Sequence, residues 1–173
     1  MGSISIKEIS ITDLNADAIV NAANEGLMAG SGVCGAIFDA AGYGELQKAC
    51  DAIGHCDTGS AVITPGFNSR AKYIIHAVGP VWYGGDRGEA DLLYGAYKKS
   101  LELAGENGCS SIGFPLISTG VFGYPMEEAW DVAIKACRDF LEENPESDME
   151  IVFAVLGEKA LTLGEKALER KTV

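Results

Sequence analysis

Apolar residues along this chain fall into short runs broken by glycine and proline, alternating with longer stretches in which they recur at helical spacing. Ile4, Ile6, Ile9 and Ile11 predict an opening strand with one irregular step, and Ala18-Ile19-Val20 a short buried strand ending at Asn21. Helical spacing then runs through Ile37, Ala41 and Leu46. Ser60 to Thr64 predicts a strand stopped by Pro65-Gly66, and Tyr73 to Val78 another closed by Gly79-Pro80. Leu93, Tyr97, Leu101 and Ala104 mark a helix ending near Gly105 or Gly108, followed by a strand over Ser111 to Ile117. Trp130, Ala133, Ile134, Cys137 and Leu141 form the stripe of a further helix, and Glu150 to Leu156 the last clear strand. The tail repeats Gly157-Glu-Lys-Ala-Leu161 as Gly164-Glu-Lys-Ala-Leu168, which predicts a short amphipathic helix with Leu161 and Leu168 facing inward. Strands alternating with helices predict an α/β domain over residues 1–173 with a mostly parallel central sheet.

The segment from Ile19 to Gly42 carries the clearest chemistry, because a buried strand leads through a glycine-rich turn into an alanine-rich helix. Gly26, Gly30, Gly32 and Gly35 are expected to allow positive φ angles and close approach of the backbone to a ligand. A helix starting near Gly35 then presents unpaired N–H groups to an anion. Between Asn21 and Gln47 there is no Lys or Arg, so a phosphate here is held by backbone N–H groups and the helix dipole. A second such loop, Ser118-Thr-Gly-Val-Phe-Gly-Tyr-Pro125, follows the strand near Ile117 and is equally free of basic residues. Ligands of parallel sheets bind at the carboxyl ends of strands, where both loops are expected.

Composition narrows the partner. Thirteen basic against 25 acidic residues give a formal charge of −12, which disfavours binding to bulk nucleic acid yet leaves a small phosphate ligand possible, since a pocket of N–H donors acts at short range. No apolar stretch approaches the roughly 18 residues of a membrane span. Five irregularly spaced cysteines, with no visible secretory signal, predict free thiols and a cytoplasmic protein.

Four segments in order resemble the macrodomains, and within them the MacroD-type branch: Asp17-Ala-Ile-Val-Asn-Ala-Ala-Asn24, Cys56-Asp-Thr-Gly-Ser-Ala-Val-Ile-Thr64, Tyr73-Ile-Ile-His-Ala-Val-Gly-Pro80 and Pro115-Leu-Ile-Ser-Thr-Gly-Val-Phe-Gly-Tyr-Pro125. The resemblance covers nearly the whole chain. It implies a three-layer α/β/α fold with a mixed, mostly parallel sheet. It also implies ADP-ribose binding, hydrolysis of mono-ADP-ribose esters on acidic side chains or of O-acetyl-ADP-ribose, ADP-ribosylated proteins as partners, and no cofactor. By the same resemblance Ala22, Asn24, Gly32, Val33, Cys34 and Gly35 in the first loop, and Ser118, Thr119, Gly120, Val121 and Phe122 in the second, contact the ligand. Asn24 orients the ribose distal to adenine and Phe122 packs against it. MacroD-type enzymes usually carry Asp where this chain has Cys34 and His where it has Phe38, whereas alphaviral macrodomains share the Cys after Gly-Val. Ser10, beside Ile11, stands where many macrodomains place an Asp on adenine, and Leu156 where an aromatic covers the ring. A binding module without turnover is the competing expectation.

Cys34 itself reads as a neutral wall residue or a water-positioning one, because a neighbouring diphosphate disfavours its thiolate. Cys50, His55 and Cys56 lack a fourth ligand, so no metal site is expected. His76 reads as a hydrogen-bonded core histidine, Asp13 and Asp17 as turn or cap residues with Asp17 also within reach of a ligand, and Tyr124 and Trp130 as core. Trp82-Tyr-Gly-Gly85 reads equally as a rim of the site or a packed turn.

Overall fold

The computed structural model describes residues 2–170. Six strands form one sheet: β1 (Ser3–Glu8), β2 (Ala18–Ala22), β3 (Ala61–Pro65), β4 (Tyr73–Ala77), β5 (Ser111–Phe114) and β6 (Glu150–Val155), in the order β1-β6-β5-β2-β4-β3. Every neighbouring pair is parallel except β3 with β4. Five helices cover it: α1 (Gly32–Ala41), α2 (Tyr43–Ile53), α3 (Glu89–Glu106), α4 (Met126–Glu143) and α5 (Glu158–Glu169). The layers are read directly from strand alternation. Ala18 and Val20 of β2, and Ile151, Phe153 and Val155 of β6, join the core under α3, α4 and α5. Ile19, Val152 and Ala154, one position over, join the second core under α1 and α2. This is the expected α/β/α arrangement with a mixed, mostly parallel sheet.

Differences from the sequence reading have local causes. The irregular step after Ile6 is where β1 ends, and Ile11 enters a short 3-10 turn, Ile11–Asp13, as a buried residue. The single helical stretch through Leu46 is two helices, because Gly42 at φ +105° breaks the ladder while its N–H still caps Phe38 O at 3.0 Å. In the tail helix the fully inward residues are Ala160, Gly164 and Ala167, with Leu161 and Leu168 only partly buried beside them. α5 lies close to its neighbours at Gly164, where an added Cβ would sit 2.6 Å from Trp130 Cζ2 and 2.8 Å from Ile6 Cδ1. Gly164→Val is therefore expected to cost about 1–3 kcal/mol by overpacking. Thermal melts should fall by roughly 2–4 °C per kcal/mol; an unchanged melt would mean that α5 simply shifts outward.

No helix is long and apolar enough to cross a membrane among the described residues. All five cysteines are free and buried.

Candidate functional site at the carboxyl edge of the sheet

β1, β6, β5, β2 and β4 run the same way, so the segments leaving their carboxyl ends gather on one edge. That edge carries Ser10 and Ile11 after β1, Ala22 to Gly35 after β2, Ser118 to Phe122 beyond β5, and Leu156 after β6. The expected ligand residues are thus brought together, with Leu156 and Val121 strongly exposed. Asp17 is not among them. It precedes β2 at the opposite edge, where its Oδ2 accepts from Ser110 N–H at 2.8 Å and Ser110 Oγ at 2.9 Å, bonds that hold its carboxyl below the usual carboxylate range.

The first loop is held from its side-chain and carbonyl side. Asn24 Nδ2 donates to Met28 O and its Oδ1 accepts from Met28 N–H, both at 3.0 Å, closing the turn on itself. Gln47, reaching from α2, donates through Nε2 to Leu27 O at 3.0 Å and accepts from Ala29 N–H at 2.9 Å. Glu25 Oε2 accepts from Thr58 N–H and Thr58 Oγ1 at 3.1 and 3.0 Å, which lowers its pKa and ties the Cys56 to Gly59 turn to the loop. Cys34 is buried, and its thiol points at Met28 O, 3.9 Å away.

The N–H groups that follow are left free. The first backbone bond into α1 runs from Gly35 N–H to Ser31 O, so the N–H groups from Gly30 through Cys34 have no acceptor among the described residues. Helix α1 thus starts at Gly32, three residues earlier than the sequence reading. Of the four glycines expected at positive φ only Gly32 takes it, at +63°. Gly35 serves by close approach instead, since a Cβ there would lie 2.7 Å from Gly30 O, whereas Gly26 and Gly30 do neither.

The second loop repeats this polarity. Its carbonyls turn inward: Leu116 O accepts from Thr119 Oγ1 at 2.9 Å, Ser118 O from Tyr124 N–H at 2.9 Å, Gly120 O from Gly123 N–H at 3.0 Å and Phe122 O from Trp82 N–H at 2.8 Å. The N–H groups of Ser118 through Phe122 have no acceptor among the described residues. Ser118 is buried at φ +71° with its Oγ unpartnered, and bare Gly79 lies against it, where a Cβ would fall 2.2 Å from that oxygen. Two runs of N–H donors without acceptors, in the loops that follow the adjacent strands β2 and β5, with no basic residue in either, have the chemistry to take an anion with two negatively charged groups.

Other candidates fall elsewhere. His76 is fully buried among Asn21, Thr64 and Cys50, away from solvent. Cys50, His55 and Cys56 are not gathered: His55 Nε2 instead lies 2.8 Å from Asp57 Oδ1, near Glu25, and these three exposed side chains are the closest approach to a metal-donor group among the described residues. Tyr124 and Trp130 are core, as expected, and Phe122 is partly exposed. The segment after β4 is both a packed turn and a neighbour of the site, because Trp82 bonds Phe122 and its ring packs on Tyr124 at 4.7 Å between centroids. Sequence reading missed Gln47, Glu25, Gly79 and Glu89, each of which acts through backbone contacts that no local motif encodes.

Fold and site together define an α/β/α protein with a backbone-lined recess at a sheet edge. The chain belongs to the macro domain family, whose sequence model matches residues 20–133. A macro domain-containing protein of Chlorobaculum tepidum is 48% identical over 158 residues, covering 91% of each chain. The Oceanobacillus iheyensis macrodomain, solved with ADP, is 38% identical with a TM-score of 0.89, covering 95% of this chain and 88% of that one. The Trypanosoma brucei macrodomain, solved with ADP-ribose, is 42% identical with a TM-score of 0.86, covering 95% and 68%.

Proposed function

We propose that this protein binds ADP-ribose and, as a MacroD-type macrodomain, hydrolyses mono-ADP-ribose esters on acidic side chains and O-acetyl-ADP-ribose in the cytoplasm. The observation that carries the reading is the pair of N–H runs without acceptors among the described residues, Gly30 to Cys34 and Ser118 to Phe122, which suit the two phosphates of a diphosphate. The solved relatives with ADP and ADP-ribose support the same occupant. In this reading Ser10, Ile11 and Leu156 border the adenine, and Ala22, Asn24, Cys34 and Phe122 border the distal ribose.

The first turn of α1 contains no acidic residue, and Cys34 and Phe38 are both buried and neutral in character. Hydrolysis therefore relies on positioning rather than on a strong general base. For an acidic side chain esterified at the anomeric carbon, a water held by the ligand's own phosphate attacks that carbon, its bond to the carboxylate oxygen breaks, the carboxylate leaves, and the water's proton passes through the phosphate to solvent; for O-acetyl-ADP-ribose the same water attacks the acetyl carbonyl carbon, and the ribose hydroxyl leaves with the proton. That mechanism implies a modest rate. The same absence of an acid favours a second reading, a module that binds ADP-ribose without turning it over.

A protein carrying glutamate-linked mono-ADP-ribose separates the two. Release of ADP-ribose within hours is expected; retention of the label at high protein concentration, with ADP-ribose still bound in calorimetry, would leave only the binding module. Asn24→Ala is expected to lower turnover about 100-fold while weakening ADP-ribose affinity less than tenfold. Equal losses in both would remove Asn24 from the ribose-orienting role and leave it as the clasp on Met28.

A further inference from the structure

We propose that Glu89, which lies on no ligand loop, is the positioning residue that anchors the end of the second loop at Phe122. The inference rests on the ADP-ribose reading of the site. Glu89 opens α3, yet its side chain is only 1% exposed. Its Oε2 accepts from Tyr83 N–H at 2.9 Å and Gly85 N–H at 3.0 Å, and its Oε1 from Arg87 N–H at 2.6 Å. The stretch from Tyr83 to Gly88 has neither helix nor strand, with Gly84, Gly85 and Gly88 all at positive φ, so these three bonds to one carboxylate are what fold it.

The folded turn packs against Trp82. Gly85 lies against the indole, where an added Cβ would sit 2.9 Å from Trp82 Cη2, and the ring also packs on Tyr124. With the indole fixed, the Trp82 N–H is aimed at Phe122 O, 2.8 Å away. Phe122 O is the last carbonyl of the second loop, and its peptide is anchored twice: by this bond from Trp82, and through its own N–H, that of Gly123, which donates to Gly120 O at 3.0 Å. Without the Trp82 bond the peptide keeps only its local tie to Gly120, and the end of the loop loses its one link to the segment after β4, so the spacing of the N–H groups before it is no longer fixed.

A carboxylate is required at this position because the three donors need an acceptor at both ends of the group. An amide offers one oxygen and turns an NH2 toward an N–H. Losing one acceptor oxygen also leaves a partly buried donor without its bond.

The test is Glu89→Gln read by two measurements. Hydrogen exchange should show the Trp82 amide losing at least tenfold protection while amides of β2 and β5 keep wild-type protection. Calorimetry should show ADP-ribose affinity falling about tenfold. Glu89→Asp, which keeps both acceptors one methylene further back, should lose about threefold and serves if the Gln variant does not fold. Affinity within twofold of wild type despite a deprotected Trp82 amide would overturn the proposal, and so would protection lost equally across β2 and β5, which would make Glu89 a general stability residue. Failure of the wild-type protein to bind ADP-ribose would instead overturn the reading of the site, and the exchange pattern alone would then decide whether Glu89 holds the loop.

Discussion

Gly32→Val is expected to weaken ADP-ribose binding at least tenfold, equivalent to about 1.4 kcal/mol or more, while leaving the core intact. Open space surrounds the position: an added Cβ would meet nothing within 4 Å. The effect comes from the backbone instead. At φ +63° a β-branched residue is strained by an amount on the order of 1–3 kcal/mol, and the chain relieves that strain by rotating the peptides on either side. Those peptides carry the N–H groups of the first cradle, so relief turns donors away from the diphosphate. Calorimetry with ADP-ribose, alongside a thermal melt, checks both halves. Binding unchanged within twofold would mean that the first loop is not a phosphate clamp.

Stability should fall between pH 6.5 and pH 5 by about 2 kcal/mol, a loss traceable to His76. Asn21 Nδ2 donates to His76 Nδ1 at 3.0 Å, which places the ring proton on Nε2, facing Thr64 Oγ1 at 3.0 Å and Cys50 Sγ at 3.8 Å. A second ring proton would sit on Nδ1, facing the Asn21 NH2, no carboxylate is bonded to the ring, and burial lowers its pKa from 6.5 to about 4. The unfolded chain protonates this imidazole as the pH drops through 6.5, whereas the folded chain does not until about 4. Folding therefore loses about 1.4 kcal/mol per pH unit within that window. Carboxylates with lowered values, such as Asp17 and Asp139, act at more acidic pH because their unfolded values lie near 3.8. Urea unfolding at pH 7 and pH 5 measures the difference, and His76→Gln should flatten it. An equal slope in the variant would assign the loss to other groups.

Strand positions were legible in the sequence because each apolar run is bounded by glycine or proline, and the two anion loops because glycine and the missing cations mark them together. Family resemblance added the occupant and the roles of Asn24 and Phe122. What stayed hidden was long-range. Gln47 looks like an ordinary exposed helix residue until α2 packs against the first loop, and its amide then substitutes for a neighbouring strand by taking both Leu27 O and Ala29 N–H. Glu89 reads as a first-turn acid favoured by the helix dipole, and only the fold curls residues 83 to 87 over it. Gly42 was read through as helix, because a glycine between two helical stripes carries no sign of whether it kinks or continues. Asp17 holds the turn at Ser110, as its place at the entry of β2 suggests, but it does not reach the ligand loops, because that entry lies at the opposite end of the strand.

The polarity of the two loops also decides what kind of sequence change the site can absorb. Its donors are amide hydrogens, which every residue but proline supplies, so Ser31, Val33 and Val121 can be exchanged for many other side chains without altering the recess that faces the ligand. The vulnerable positions are those that set backbone direction: Gly32 and Ser118 by their dihedral angles, Gly35 and Gly79 by having no β-carbon to collide with Gly30 or Ser118. The inherited information for recognition is therefore written in torsion angles and missing atoms. A descendant of this chain could drift widely in the letters of both loops and still grip the same molecule.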